Sequence, residues 1–166
     1  MKKIIVIGCP GSGKSTFSKK LHRLTGIPLF HLDMMYWNQY KTTVERSVFI
    51  DRLTQTLKTH SWIIDGNYAS TMEMRLQICD TVIFLDYPLD LCLKGIKERV
   101  GKPRSDMPWI ETKHDKEFEQ YIKNFNNQIR PQVIELLQKY PSKKAYIFTN
   151  RDQATAFLKN LGEVIV

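Results

Sequence analysis

Eight residues, Gly8-Cys9-Pro10-Gly11-Ser12-Gly13-Lys14-Ser15, constrain this chain more than any other feature. They fit the spacing G-x-x-x-x-G-K-[ST], and their surroundings restrict them further. Lys3 to Ile7 is a short β-branched apolar run that reads as a buried strand. From Ser15 onward, Phe17, Leu21 and Leu24 recur at helical spacing until Gly26 and Pro28 stop the helix. Glycines let a loop between strand and helix curl until several N–H groups face one point, and the helix adds its positive end, so the turn cradles phosphate. With glycine at about 7% of residues, a chance match in a chain this long is roughly one in a hundred or less. Gly8, Gly11, Ser12 and Gly13 are therefore read as the cradle, and Lys14 as the group reaching the β- and γ-phosphates. Ser15 is read as a ligand to Mg²⁺, and Thr16 as a donor to a more proximal phosphate. Gly11-x-Gly13-x-x-Thr16 lacks the third glycine of the dinucleotide fingerprint, which disfavours a nicotinamide enzyme.

The remaining chain alternates between strand and helix periods. Leu29 to Leu32 reads as a short strand, and Thr42-x-x-Glu45 as a capping box opening a helix with Val48, Phe49, Leu53 and Leu57 on one face. Trp62 to Ile64 is a strand ending at Asp65-Gly66; Ser70-x-x-Glu73 opens a short helix; Thr81 to Leu85 is a strand followed by a helix through Val100. Residues 101–114 have no apolar period and two prolines, 115–140 are helical with a break at Pro131, and Ala145 to Phe148 is a fifth strand before a last helix. This alternation predicts an α/β fold with a mainly parallel five-stranded sheet, helices on both faces and ligands at the carboxyl ends of the strands.

The 166 residues suit one domain, read as 1–166. No apolar run approaches the ~20 residues of a membrane helix, and the run at the start is too short for a secretion signal, so a cytoplasmic location is expected. Cys9, Cys79 and Cys92 are odd in number and widely spaced, which indicates free thiols. The net charge of +8 is uneven: residues 1–25 carry six Lys/Arg and no acid, 26–93 carry five against eight, and 94–144 carry twelve against seven. Two basic blocks around an acidic middle suit an anionic ligand: nucleic acid, a membrane surface or a phosphorylated small molecule.

Asp33, Asp65 and Asp86 each follow a predicted strand and would point into the crevice. Trp62-Ile63-Ile64-Asp65 has the form of a strand presenting a carboxylate to the magnesium shell, so Asp65 joins Ser15 as a metal residue. Asp86, before Tyr87-Pro88, reads as a structural acid. Asp33 heads an aromatic stretch, Tyr36, Trp37 and Tyr40, that either lines an acceptor pocket or packs on the sheet. A bound triphosphate needs cations beyond Lys14, which points to Arg99, with Arg104 and Arg130 behind it. His31-x-Asp33 hints at a metal, but no third ligand stands nearby, and His22, His60 and His114 are isolated.

Taken in order, the phosphate loop, Trp62-Ile-Ile-Asp-Gly-Asn-Tyr68, Asp80-Thr-Val-Ile-Phe-Leu-Asp-Tyr-Pro88 and the arginine-containing segment resemble the adenylate-kinase-like P-loop small kinases. His31-Leu-Asp-x-x-Tyr-Trp-Asn38, Asp65-Gly-Asn-Tyr68, Arg104-x-Asp-Met107, Phe125-Asn126 and Arg130-Pro131 are similar to the DNA topology modulation (FlaR-type) proteins. The resemblance implies a lid over about residues 99–130 closing on ATP, with Arg99, Arg104 and Arg130 on its phosphates. Adenylate kinases continue Asp-Gly with Phe-Pro-Arg, the arginine holding the acceptor's phosphate. Here Asn67-Tyr68 stand instead, leaving Arg75 as a substitute. Shikimate kinases carry two spaced Asp after the second strand and a Gly-rich acceptor turn, whereas this chain has Asp33 and Gly66.

The expected function is transfer of the γ-phosphoryl group of ATP, with Mg²⁺, to a small acceptor. Asp33 would orient or deprotonate the acceptor hydroxyl, and Tyr36, Trp37, Asn67 and Arg75 would line its site. The competing class is a nucleotide-dependent DNA-binding regulator of DNA topology, which the charge suggests and no helix-turn-helix or zinc-finger signature supports. With few apolar anchors and a basic surplus, residues 101–114 are expected to be mobile until phosphates draw them in.

Overall fold

Strands that are apolar on both sides must be covered on both sides, and this one requirement organises the chain. The computed structural model describes residues 1–113 and 115–165; His114 lies outside them. Five strands, β1 (Lys3–Gly8), β2 (Leu29–His31), β3 (Trp62–Asp65), β4 (Thr81–Leu85) and β5 (Lys144–Phe148), lie in the order β2-β3-β1-β4-β5, and every neighbouring pair is parallel. The helices are α1 (Lys14–Thr25), α2 (Leu32–Tyr36), α3 (Arg46–Lys58), α4 (Ala69–Ile78), α5 (Leu89–Arg99), α6 (Lys116–Gln128), α7 (Arg130–Lys139) and α8 (Arg151–Ile165).

Side chains alternate across a strand, so Ile4 and Val6 enter one core while Ile5 and Ile7 enter the other. Phe17 and Leu21 of α1, Ile96 of α5, Ile122 and Phe125 of α6 and Leu158 of α8 fill the first core. Leu53 and Leu57 of α3, Met72 and Leu76 of α4 and Val133 of α7 fill the second. The chain runs from β1 out to β2, returns to β3, then crosses to β4 and β5, so β1 lies where the winding reverses. The crevice beyond its carboxyl end is where such sheets bind ligands.

One glycine fixes how the loop after β1 sits. Gly95 lies inside α5, at a cost of about 0.5–1 kcal/mol relative to alanine. A Cβ there would come within 2.1 Å of the Gly11 carbonyl oxygen, and a Cβ on Gly11 within 2.0 Å of the Cys92 carbonyl oxygen. Loop and helix therefore meet backbone to backbone. Gly95→Ala is expected to push the loop off the helix, costing on the order of 1–3 kcal/mol and weakening nucleotide binding. A parallel loss in urea midpoint and ATP affinity checks this; an alanine variant with both intact would show that the contact is dispensable.

Several local expectations are corrected. Leu32 opens α2 and does not end β2. Thr42 does not cap α3, which begins at Arg46; its carbonyl instead accepts the Asn38 N–H at 2.8 Å in a turn. The short helix begins at Ala69, after Tyr68 in the left-handed region (φ 39°), and not at a Ser70 cap. The helical stretch from 115 divides as the sequence suggests: Asp115 Oδ1 accepts the Glu117 and Phe118 N–H groups at 3.0 Å to cap α6, and Pro131 starts α7. Because Ile122 and Phe125 are core residues, α6 is anchored to the body, and the segment free of regular structure runs only between α5 and α6. Among the described residues, no helix is long and apolar enough to cross a membrane.

Candidate active site

The carboxyl ends of β1 and β3 open onto a cavity of about 1430 Å³. Its floor is the phosphate loop. Lys14 Nζ donates to the Gly8 and Cys9 carbonyls at 2.9 and 3.2 Å, folding the ammonium over the turn it belongs to. Burial lowers the Lys14 pKa, and Asp65 and Asp33 oppose that shift. Asn67 pins β1 from the side: its Oδ1 accepts the Gly8 N–H at 3.1 Å, and its Nδ2 donates to the Gly8 carbonyl at 2.8 Å. Expected to meet the acceptor, the Asn67 amide borders the cavity but spends both ends on the loop's backbone.

Asp65 is buried at the end of β3. In the β2–β3 register it stands opposite His31, whose Nδ1 lies 2.8 Å from Asp65 Oδ1. The neighbour that suggested a metal pair, Asp33, is not the partner of His31. Among the described residues, Asp65 Oδ2 and Arg104 Nη1 are buried without a hydrogen bond on residues that line the cavity, Arg104 Nη1 standing 3.7 Å from Glu111 Oε2, and Ser12 Oγ is likewise unbonded in the loop below. A buried polar atom left unpaired costs about 1–3 kcal/mol, so such atoms grouped at one site call for a ligand. A hard cation held by a hydroxyl and one or two carboxylates, with phosphate and water completing its shell, is what Ser15 and Asp65 suit.

Asp33 lies in the first turn of α2, on the cavity wall, and accepts the Tyr68 hydroxyl on Oδ1 at 2.6 Å. Burial raises the Asp33 pKa, opposed by the Tyr68 hydrogen bond and by Lys14; burial and the adjacent Asp33 also push the Tyr68 phenol far up. Tyr36, Trp37 and Tyr68 line the same wall, and Trp109 closes it from the segment between α5 and α6, its ring edge-on to Trp37 at 4.8 Å. Tyr68 and Trp109 were not assigned to the site from sequence, although Tyr68 ends the Asp-Gly-Asn-Tyr stretch.

Four arginines were expected near phosphate or acceptor, and the structure separates them. Arg99 donates to Glu111 through Nε and Nη2 at 2.5 and 2.6 Å, and Arg104 to Asp106 through Nε and Nη2 at 3.2 and 2.5 Å; all four residues line the cavity. Asp106 also accepts the Ser15 hydroxyl at 2.7 Å. Burial would raise the Asp106 pKa, but the hydrogen bonds from Arg104 and Ser15 hold it well below the usual carboxylate range. Arg130 instead pairs with Asp86 through Nε and Nη2, both at 2.8 Å, and does not line the cavity. The expected phosphate role of Arg130 is corrected to a tie between α7 and the end of β4, and Asp86 is the structural acid it was read to be.

Arg75 is fully buried and also outside the cavity wall. Its Nη1 donates to the Gly66 carbonyl at 3.0 Å, its Nη2 to the Asn67 and Tyr68 carbonyls, and its Nε to Thr71 at 3.3 Å. It moulds the turn carrying Asn67 and Tyr68 and has no donor facing an acceptor, which corrects its assignment as an acceptor ligand. The segment 101–113 is also better tied than its surplus of basic residues suggested. Its own Asp106 and Glu111 neutralise Arg104 and Arg99, and the Gly101 N–H donates to the Glu111 carbonyl at 2.7 Å.

No protein-family model matches the chain, and no curated protein matches it. Solved structures do. The shikimate kinase of Acinetobacter baumannii, in complex with shikimate, superposes with a TM-score of 0.66 at 17% identity over 99% of this chain and 93% of its own. The crystal structure of shikimate kinase from Bacteroides thetaiotaomicron gives 0.58 at 19% identity over 98% and 97%. The chain thus has the α/β P-loop fold of these small kinases along nearly its whole length.

Proposed function

We propose that the chain is an ATP-dependent phosphotransferase of the nucleoside and nucleotide kinase-like class, moving the γ-phosphoryl group to a hydroxyl of a small acceptor. The observation that carries this reading is the pair of buried atoms left without a hydrogen bond among the described residues, Asp65 Oδ2 and Arg104 Nη1, on residues that border one cavity with Lys14 and Asp33. The P-loop kinase fold supports it. Tyr36 and Trp37 of the Tyr-Trp-Asn stretch gather on the same cavity with the residues of the Asp-Gly-Asn-Tyr and Arg-x-Asp-Met stretches, which supports the likeness to the topology modulation proteins.

The loop N–H groups and Lys14 hold the β- and γ-phosphates in line with the acceptor, since phosphoryl transfer asks mainly for position and charge. Ser15 and Asp65 would hold Mg²⁺, which neutralises triphosphate charge when bound. Arg99 and Arg104 exchange Glu111 and Asp106 for phosphate oxygens, a trade between anions that leaves no guanidinium unpaired. Tyr36 and Trp37 place the acceptor, and Asp33, fixed by Tyr68, accepts its hydroxyl proton as the oxygen–phosphorus bond forms and ADP departs. Trp109 and its segment keep water out, so that it does not take the phosphoryl group.

The metal assignment is the sharpest test. Asp65→Asn is expected to raise the Mg²⁺ concentration needed for acceptor-dependent ADP release by roughly 10–100-fold, while Asp86→Asn leaves it nearly unchanged because that carboxylate faces Arg130. Equal metal requirements, or the reverse ranking, would overturn the placement of the metal on β3.

A further inference from the structure

The acceptor end of the cavity carries ring faces and a carboxylate, and among the described residues it lacks the one thing an acidic acceptor requires. Tyr36 stands edge-on to Trp37 and Tyr68 with ring centroids 5.3 and 5.2 Å away, and Trp37 to Trp109 at 4.8 Å. Asp33 sits on this wall with Oδ1 taken by Tyr68. A carboxylate or phosphate ester bound here would need a guanidinium able to grip two oxygens, or a buried ammonium, to offset its lost hydration and its repulsion by Asp33 at short range.

Every guanidinium near the site is committed elsewhere. Arg75 is spent on the carbonyls of Gly66, Asn67 and Tyr68, and Arg130 on Asp86. Arg99 and Arg104 are held by Glu111 and Asp106, and Arg104 Nη1, buried without a hydrogen bond among the described residues and 3.7 Å from Glu111 Oε2, turns to the transferred phosphoryl group in the reading above. The ammonium groups do not replace them. Lys14 covers the phosphate loop, Lys19 lies 3.9 Å from Asp106, and Lys41, Lys113 and Lys116 reach the cavity from exposed positions, where water and salt screen them. A cationic acceptor finds no free carboxylate pair either: Asp33 Oδ1 is taken by Tyr68, and Glu111 and Asp106 are held by Arg99 and Arg104.

We infer that the acceptor is a neutral molecule presenting a flat ring and a free hydroxyl, and that the acids and phosphate esters of the same ring are refused. The ring would lie against Tyr36, Trp37 and Trp109 with its hydroxyl at Asp33, a choice that aromatic faces favour whether the ring comes from a nucleoside or from an aromatic alcohol. This inference rests on the phosphotransferase reading.

The test is calorimetric titration of the intact protein, saturated with ADP and Mg²⁺, with matched pairs: thymidine against thymidine 5′-monophosphate, and 1,4-benzenedimethanol against 4-(hydroxymethyl)benzoate. Shikimate and choline serve as the acidic non-aromatic and the cationic probes. At least one neutral ring compound is expected to bind tenfold or more tightly than its anionic partner and than shikimate or choline, and the pair that binds identifies the source of the ring. Asp33→Asn, which keeps an acceptor for the Tyr68 hydroxyl, is expected to narrow the gap within that pair to threefold or less, an effect that mere loss of fold would not produce. Equal or tighter binding of the anionic partner, binding of shikimate or choline alone, or no binding by either neutral ring compound would overturn the inference. ADP saturation precedes the titration, so its success leaves the nucleotide site standing when the acceptor class fails, and its failure removes both.

Discussion

Lys14→Ala is expected to lower acceptor-dependent ADP release by on the order of 10²–10³, with the melting temperature within about a degree or two of the parent's. The magnitude follows from what the ammonium touches. Lys14 fills no hydrophobic core; its Nζ donates to the Gly8 and Cys9 carbonyls, and the Gly8 carbonyl keeps the Asn67 Nδ2 donor at 2.8 Å once the ammonium is gone. Its charge, held in a buried site between Asp65 and Asp33, has a function only when phosphate charge builds between them. Because the loop N–H groups and Ser15 still hold the nucleotide, kcat is expected to fall more than ATP affinity, the mark of a group that acts on the transition state. Circular dichroism and a urea midpoint report the fold, and a steady-state assay of ADP release reports the rate. Near-normal turnover in a cleanly folded variant would remove the phosphate loop from the reaction and the phosphotransferase reading with it.

The parts of this site that could be read from sequence are those whose chemistry is local. Gly8 to Ser15 needs no distant partner to declare itself, because glycine spacing, the preceding apolar strand and the following helix sit within one stretch of chain. Asp65 was legible for the same reason, as an acid ending a four-residue apolar strand. What escaped were pairings between distant positions. His31 faces Asp65 only because β2 and β3 run side by side in one register, and Tyr68 reaches Asp33 only through the turn between β3 and α4. The excess of Lys and Arg over 94–144 is plain in the sequence, but the pairing of Asp106 and Glu111 with two of those arginines depends on how the segment folds. Arg130 was misplaced in the same way: Pro131 correctly marked a helix start, while nothing nearby revealed that Asp86, 44 residues earlier, would claim the guanidinium. The capping boxes failed because Ser, Thr and Glu satisfy the same local pattern in loops, where other hydrogen bonds compete for them.

Arg75→Met is expected to destabilise the fold by about 3–5 kcal/mol, a large share of the 5–15 kcal/mol typical of a domain. In a helix an arginine is ordinarily an exposed residue, and the likeness to adenylate kinases left Arg75 as the substitute for their acceptor-binding arginine. Instead it is fully buried, and although burial lowers its pKa to about 10, it stays charged at neutral pH and satisfies the carbonyls of Gly66, Asn67 and Tyr68 at once. Methionine fills a similar volume but returns nothing to those carbonyls. The Gly66 and Asn67 carbonyls then lose their donor, while the Tyr68 carbonyl keeps the Thr71 N–H and hydroxyl at 2.9 and 3.1 Å, in a turn that already holds Tyr68 at a φ of 39°. Lysine should not rescue the loss, because one ammonium on a flexible stem cannot reproduce a fork aimed at three carbonyls. In the fraction that still folds, kcat should drop with little change in acceptor KM, since a loosened turn misplaces Tyr68 and through it Asp33, without removing any group that touches the acceptor. Urea melts of Arg75→Met and Arg75→Lys, with kcat and KM measured below the melting range, separate this role from direct recognition. A methionine variant that melts like the parent and only raises the acceptor KM would return Arg75 to the acceptor site, and with it the capacity to bind an acidic acceptor.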